Sequence, residues 1–119
     1  MDNVSSAILA SIIALVIHLI EEVKTGFRAQ FPLGEMPKPV FVGINVLIYA
    51  FGLATFCLSL RNGSLAVPLA WIWAIAMLFN GVGHLGIMLI KRRYVPGGLT
   101  APVLALVAGY LIWLLLLGK

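Results

Sequence analysis

The sequence predicts an all-α polytopic membrane protein: a four-transmembrane-helix bundle formed by a single domain over residues 1–119. Three observations predict it. Of 119 residues, 62% are hydrophobic and 10% charged, with mean hydropathy +1.11. A soluble domain of this size needs more polar surface than that to cover it. The apolar residues also fall into four runs, about 4–23, 40–60, 67–90 and 99–117. Each is near the roughly 20 residues a helix needs to cross a bilayer. Between the runs lie the charges and the helix breakers. All four runs are expected to be helical, because lipid offers no partner to exposed backbone groups.

The first run resembles a signal peptide only superficially. Asp2 stands where a basic segment belongs, and Glu21-Glu22-Val23-Lys24 follows the run in place of a small-residue cleavage site. It reads as a retained first span. The connection over 24–39 holds Pro32, Gly34, Pro37 and Pro39, all helix breakers, and reads as a lid or a partner surface. Arg61-Asn62-Gly63-Ser64 is a short polar turn before the third run. Lys91-Arg92-Arg93-Tyr94-Val95-Pro96-Gly97-Gly98 is basic and then turn-forming.

With four spans, the first and third connections share one side. They carry Lys24, Arg28, Lys38, Lys91, Arg92 and Arg93, against Arg61 and Lys119 on the other side. The positive-inside rule then puts the two longer loops in the cytoplasm and both termini outside, in a membrane of the bacterial inner type. Trp71, Trp73 and Trp113 fall toward the outer ends of their spans, where an aromatic belt is expected. The net charge of +4 is spread between apolar runs. It marks topology and headgroup contact, not a nucleic-acid partner. Cys57 lies in an apolar stretch and reads as an inert core thiol.

Against this background the segment His18-Leu19-Ile20-Glu21-Glu22 is anomalous. Each ionisable group at mid-bilayer costs about 2.5–3.5 kcal/mol. Such groups are tolerated when paired, when they bind something, or when they sit near the lipid–water boundary. Depth follows from counting to the nearest cytoplasmic charge. His18 lies about 9 Å from Lys24, and His84 and Asn45 lie about 10 Å from Lys91 and Lys38. Three spans thus place polar residues in one layer, with Glu21 and Glu22 nearer the surface and Asn80 one turn deeper. Thr100 opens the fourth span from the same side.

On a helix, Glu21 and Glu22 both flank His18, and Asn80 shares a face with His84. Two histidines and a carboxylate suffice for a divalent ion, Zn or Fe, with positions left for water or substrate. His18, Glu21, Glu22, His84 and Asn80 are the candidate ligands, with Asn45 and Thr100 behind them. A second carboxylate has room to act as a general base. Blander readings stand beside this one: a solvated juxtamembrane Glu pair balanced by Lys24, a His84 bonded to Asn80, and an Asn45 that only joins helices. Gly81-Val82-Gly83-His84-Leu85-Gly86 matches a dinucleotide fingerprint in letters only, since no strand precedes it. Its glycines read as points of close helix approach.

His18-x-x-Glu21-Glu22, Asn80-x-x-x-His84 and Tyr94-x-Pro96-Gly97 together resemble the three signature motifs of the HXXEE family. This is a group of small, mostly bacterial membrane proteins with no assigned biochemical role. The resemblance runs from the first span to the start of the fourth. It implies that His18, Glu21, Glu22, Asn80, His84, Tyr94, Pro96 and Gly97 act as one unit. A looser resemblance, to glutamate-dependent intramembrane CAAX-type proteases, is an analogy of chemistry alone. Their acidic motif requires arginine where this chain has Gly26.

Three functions follow as expectations. The first is a metal-dependent hydrolase or oxidoreductase acting on a lipid or other apolar substrate from the cytoplasmic face. Glu21, Glu22 and Tyr94 would be its catalytic groups, with Pro96 and Gly97 turning Tyr94 back over the site. The second is a proton or cation transporter, which in a four-span chain calls for a homo-oligomer. The third is a structural or partner-binding protein whose polar cluster only packs helices.

Overall fold

A computed structural model describes residues 1–118. Among the described residues the chain is all-helical. It has four α-helices: α1 (Asn3–Thr25), α2 (Lys38–Leu60), α3 (Ala66–Lys91) and α4 (Ala101–Leu116). A 3-10 turn over Phe27–Gln30 follows α1. Asp2 caps α1 by accepting from the Ser5 amide at 2.7 Å. Gly26 ends it in the left-handed region, and the Pro-rich stretch beyond prevents any continuation.

α1, α2 and α3 are long and apolar enough to cross a membrane. α4 is shorter than the fourth expected span: it has 16 residues, about 24 Å at 1.5 Å per residue. Its first two expected residues belong instead to a non-helical strap over residues 94–100, buried at 95–98. The physical reason is Glu21, whose carboxylate takes the Leu99 and Thr100 amides at 3.0 and 2.8 Å. Those are the donors that a helix start leaves without a partner. A side chain of α1 thus caps α4, where its negative charge also suits the helix dipole.

The helices pack as a ring, α1 beside α2, α2 beside α3, α3 beside α4 and α4 beside α1, with α1 and α3 meeting across the middle. The core is Ile8, Ile12 and Leu15 of α1, Trp73 and Met77 of α3, and Leu104, Leu111 and Leu114 of α4. At its centre the Trp73 indole donates to Ser11 Oγ at 2.7 Å, and Ser11 in turn donates to the Ile8 carbonyl. Gly81 lets α3 approach α4, because a Cβ there would lie 2.8 Å from the Ala101 carbonyl oxygen. Gly83 and Gly86 face no such neighbour, so close approach explains one of the three glycines.

α2 is the loosest member, with only Gly52, Thr55 and Ser59 buried. Cys57 lies off that narrow face and is exposed, which overturns its reading as a core thiol. Trp73 likewise departs from the aromatic-belt expectation: it is 1% exposed, held inward by Ser11. Trp113 is exposed. Apolar side chains cover the outside as well, among them Leu47 and Leu53 of α2, Phe79 of α3 and Leu106 of α4. Such a surface suits a lipid solvent.

The strap and the 26–37 connection lie at one end of the bundle. Asp2, Asn62 and Gly118 line a common cavity at the other. Lys119, counted above in the charge balance, lies outside the described residues.

Candidate metal centre

α1 supplies two members of the site. His18 and Glu22, four residues apart, share a face, and His18 Nε2 lies 2.9 Å from Glu22 Oε1. α3 supplies the third across the bundle. His84 Nε2 lies 3.2 Å from His18 Nε2, with the rings edge to face. All three side chains are buried, His18 completely. One ligating atom from each falls within 4.8 Å of the others.

The strap determines how His18 is oriented. Thr100 Oγ1 lies 2.6 Å from Glu21 Oε1 and 2.8 Å from His18 Nδ1. Glu21 receives four donors in all: the Tyr94 hydroxyl, the Leu99 and Thr100 amides and the Thr100 hydroxyl. An acceptor of four protons is an ionised carboxylate. The Thr100 hydroxyl therefore gives its one proton to Glu21 and accepts from His18 Nδ1–H. This places a proton on Nδ1 from the network; in the neutral ring Nε2 then carries the lone pair.

That lone pair faces the Glu22 carboxylate and the edge of the His84 ring. Two acceptors facing each other in a buried site favour a cation between them. A divalent ion serves, and so does a proton on His18. The spacings of 2.9 and 3.2 Å are close to the roughly 3.3 Å that separates neighbouring tetrahedral ligands with bonds near 2.0–2.1 Å. The donor set, two imidazoles and one carboxylate, is of the kind that leaves a zinc or iron position open.

Gly97 makes the approach of the two rings possible. Its φ is +89°, and a Cβ there would lie 2.6 Å from His84 Cε1 and 2.8 Å from His18 Cε1. No side chain fits, and only glycine adopts that φ readily. His84 Nδ1 lies against this part of the strap, buried and without a hydrogen-bond partner among the described residues.

On the side away from the strap, Phe27 packs against the His84 ring with centroids 5.3 Å apart. Phe31 and Phe41 extend the aromatic cluster. A cavity of about 280 Å³ opens there, bordered by Glu22, His84, Asn80 and Asn45 and by Phe27, Phe31, Met36, Phe41, Ile44 and Ile48.

The candidate residues therefore separate. His18, Glu22 and His84 gather into one group. Glu21 lies outside that group of three and binds the strap. Thr100 contacts His18 directly, and Tyr94 reaches Glu21 through its hydroxyl. Pro96 and Gly97 lie in the turn of the strap. Asn80 borders the cavity beside His84, and so does Asn45, whose amide donates to the Phe41 carbonyl at 2.9 Å. Sequence reasoning missed Phe27 and the cavity behind it. The available signal was an aromatic pair four apart, Phe27 and Phe31, inside a connection otherwise rich in breakers.

A family model described as "Protein of unknown function with HXXEE motif" matches residues 9–113. No curated protein and no solved structure matches the chain.

Proposed function

This chain belongs to the HXXEE family, and we propose that it is an integral membrane protein holding one divalent metal ion, as a metal-dependent enzyme acting on a lipid or another apolar substrate. His18, His84 and Glu22 are the ligands in this reading. Glu21 and Thr100 hold His18 in the ligating tautomer, the part that carboxylates behind metal-bound histidines play elsewhere. Tyr94 fastens the strap to Glu21. Zinc and iron both suit the donor set. A bound ion would polarise a substrate oxygen or acidify a bound water.

One observation carries the reading. His18 Nε2 lies 2.9 Å from Glu22 Oε1 and 3.2 Å from His84 Nε2, while Thr100 occupies Nδ1. The cavity beside His84 gives an apolar molecule a way in. Its wall includes α2, the least buried helix, so entry is from the side. The basic connections at this end orient it to the cytoplasm, with both termini outside.

The same 2.9 Å contact is also a good length for a hydrogen bond. It favours, as a second reading, a proton held between His18 and Glu22 in a carrier of protons or cations. Elemental analysis of purified protein separates the two. The first reading expects about one zinc or iron per chain, lost in His18→Ala and in His84→Ala separately. Protein free of metal after purification without chelators, and conducting protons when placed in liposomes, would establish the second.

A further inference from the structure

We propose that the cavities on either side of Phe27 form one binding site for a single-chain anionic amphiphile, its head held by Arg28 and Lys38 and its chain passing Glu22 and His84. The apolar cavity beside His84 has a neighbour of about 360 Å³, bordered by Glu22, Phe27, Phe41, Arg28 and Lys38. Both cavities share Glu22, Phe27 and Phe41. Phe27 thus lines both a mouth that holds Arg28 and Lys38 and a mainly apolar throat.

Charge decides the head. The chain has four acidic residues, and three are engaged elsewhere: Asp2 caps α1, Glu21 binds the strap and Glu22 meets His18. Glu22 borders the mouth as well, its carboxylate 2.9 Å from His18 Nε2. The fourth acid is Glu35. It contacts Arg28 at 3.4 Å from a largely exposed position, where water and salt weaken the pair. Lys38 is therefore a cation at the mouth without an acidic partner among the described residues, which fits a phosphate or a carboxylate.

Volume decides the chain. The throat of about 280 Å³ holds roughly nine groups of the ~30 Å³ that a water occupies, enough for a segment of one hydrocarbon chain and not two. A molecule so placed carries the bond next to its head beside Glu22. Only that last placement rests on the metal-centre reading; the binding site itself does not.

The test uses the full chain in a neutral maltoside detergent, with native mass spectrometry counting bound dodecyl phosphate. One molecule per chain is expected. Lys38→Gln, at an exposed position, should weaken binding about fivefold, and dodecanol, which lacks the charge, should bind about 30-fold more weakly than dodecyl phosphate. Ile44→Trp, which fills the throat from its rim, should weaken binding further. Inorganic phosphate alone should bind poorly, because the chain's burial is lost.

Equal binding of dodecanol, unchanged affinity in Lys38→Gln, or phosphate binding as tightly as its dodecyl ester each overturns the proposal. His18→Ala separates the two readings, because His18 borders neither cavity: it should lose metal and keep dodecyl phosphate. Protein without metal that still binds dodecyl phosphate through Lys38 upholds this site while the metal-centre reading falls.

Discussion

Thr100 Oγ1 lies 2.8 Å from His18 Nδ1, and that contact decides which nitrogen of the imidazole is free. The Thr100 proton goes to Glu21, so His18 must donate from Nδ1 and offer Nε2. Thr100→Val keeps the shape and removes the hydroxyl. We expect zinc affinity to fall about 10- to 100-fold, the usual effect of losing a group behind a metal-bound histidine. Competition with a chromogenic chelator measures it, and an unchanged affinity would remove Thr100 and Glu21 from the site.

Gly97 tests the same site by steric means. A methyl group at this position meets both imidazoles and forces a backbone with φ +89° onto a residue that resists it. Gly97→Ala is expected to cost about 1–3 kcal/mol through overpacking and to lower metal content, because the strap must retreat from His18 and His84. Thermal unfolding in detergent and elemental analysis report the two effects. Full metal content at an unchanged melting temperature would mean that the strap does not press on the rings.

Much of this architecture is legible in the sequence, for reasons that also mark its limits. Hydropathy finds α1, α2 and α3 because a helix able to cross a bilayer must be apolar on most of its surface. Counting residues from Lys24 and Lys91 puts His18 and His84 at one depth because rise per residue is constant. Neither kind of reasoning can divide Glu21 from Glu22. Both flank His18 on a helix, and only the strap, with its amides aimed at Glu21, draws that residue away from the ring. Hydropathy counts the end of the strap as the start of a fourth span, which hides the device that separates the two acids. Trp73 and Cys57 depart from expectation for a related reason: composition gives depth along a helix but not which face it turns inward.

Ser11 and Trp73 separate folding from the metal site. The indole donates to Ser11 Oγ at 2.7 Å in the middle of the core, well removed along α1 from His18. Ser11→Ala leaves that donor buried and unpaired, which costs about 1–3 kcal/mol. The expected result is a lower melting temperature with metal content per folded chain unchanged. Loss of metal in this variant would show that the centre depends on the whole bundle and not on its own end.

Tyr94 gives the strap a dependence on alkaline pH. It lies outside the helices and donates to Glu21. Burial, followed by that hydrogen bond, pushes its phenol above the ordinary value of 10.0. The neutral phenol is the form that the folded state prefers, since a phenolate cannot donate and would repel the carboxylate. Its contribution is therefore present in full below the unfolded phenol's value and is lost as pH rises through the higher folded one. Wild-type protein should melt above Tyr94→Phe at neutral pH, and the two should converge as the solution becomes strongly alkaline. Subtracting the ultraviolet titration of Tyr94→Phe from that of the wild type isolates the phenol, which should ionise above 10.0. A midpoint at or below that value, or melting temperatures that diverge with rising pH, would break the link between Tyr94 and Glu21.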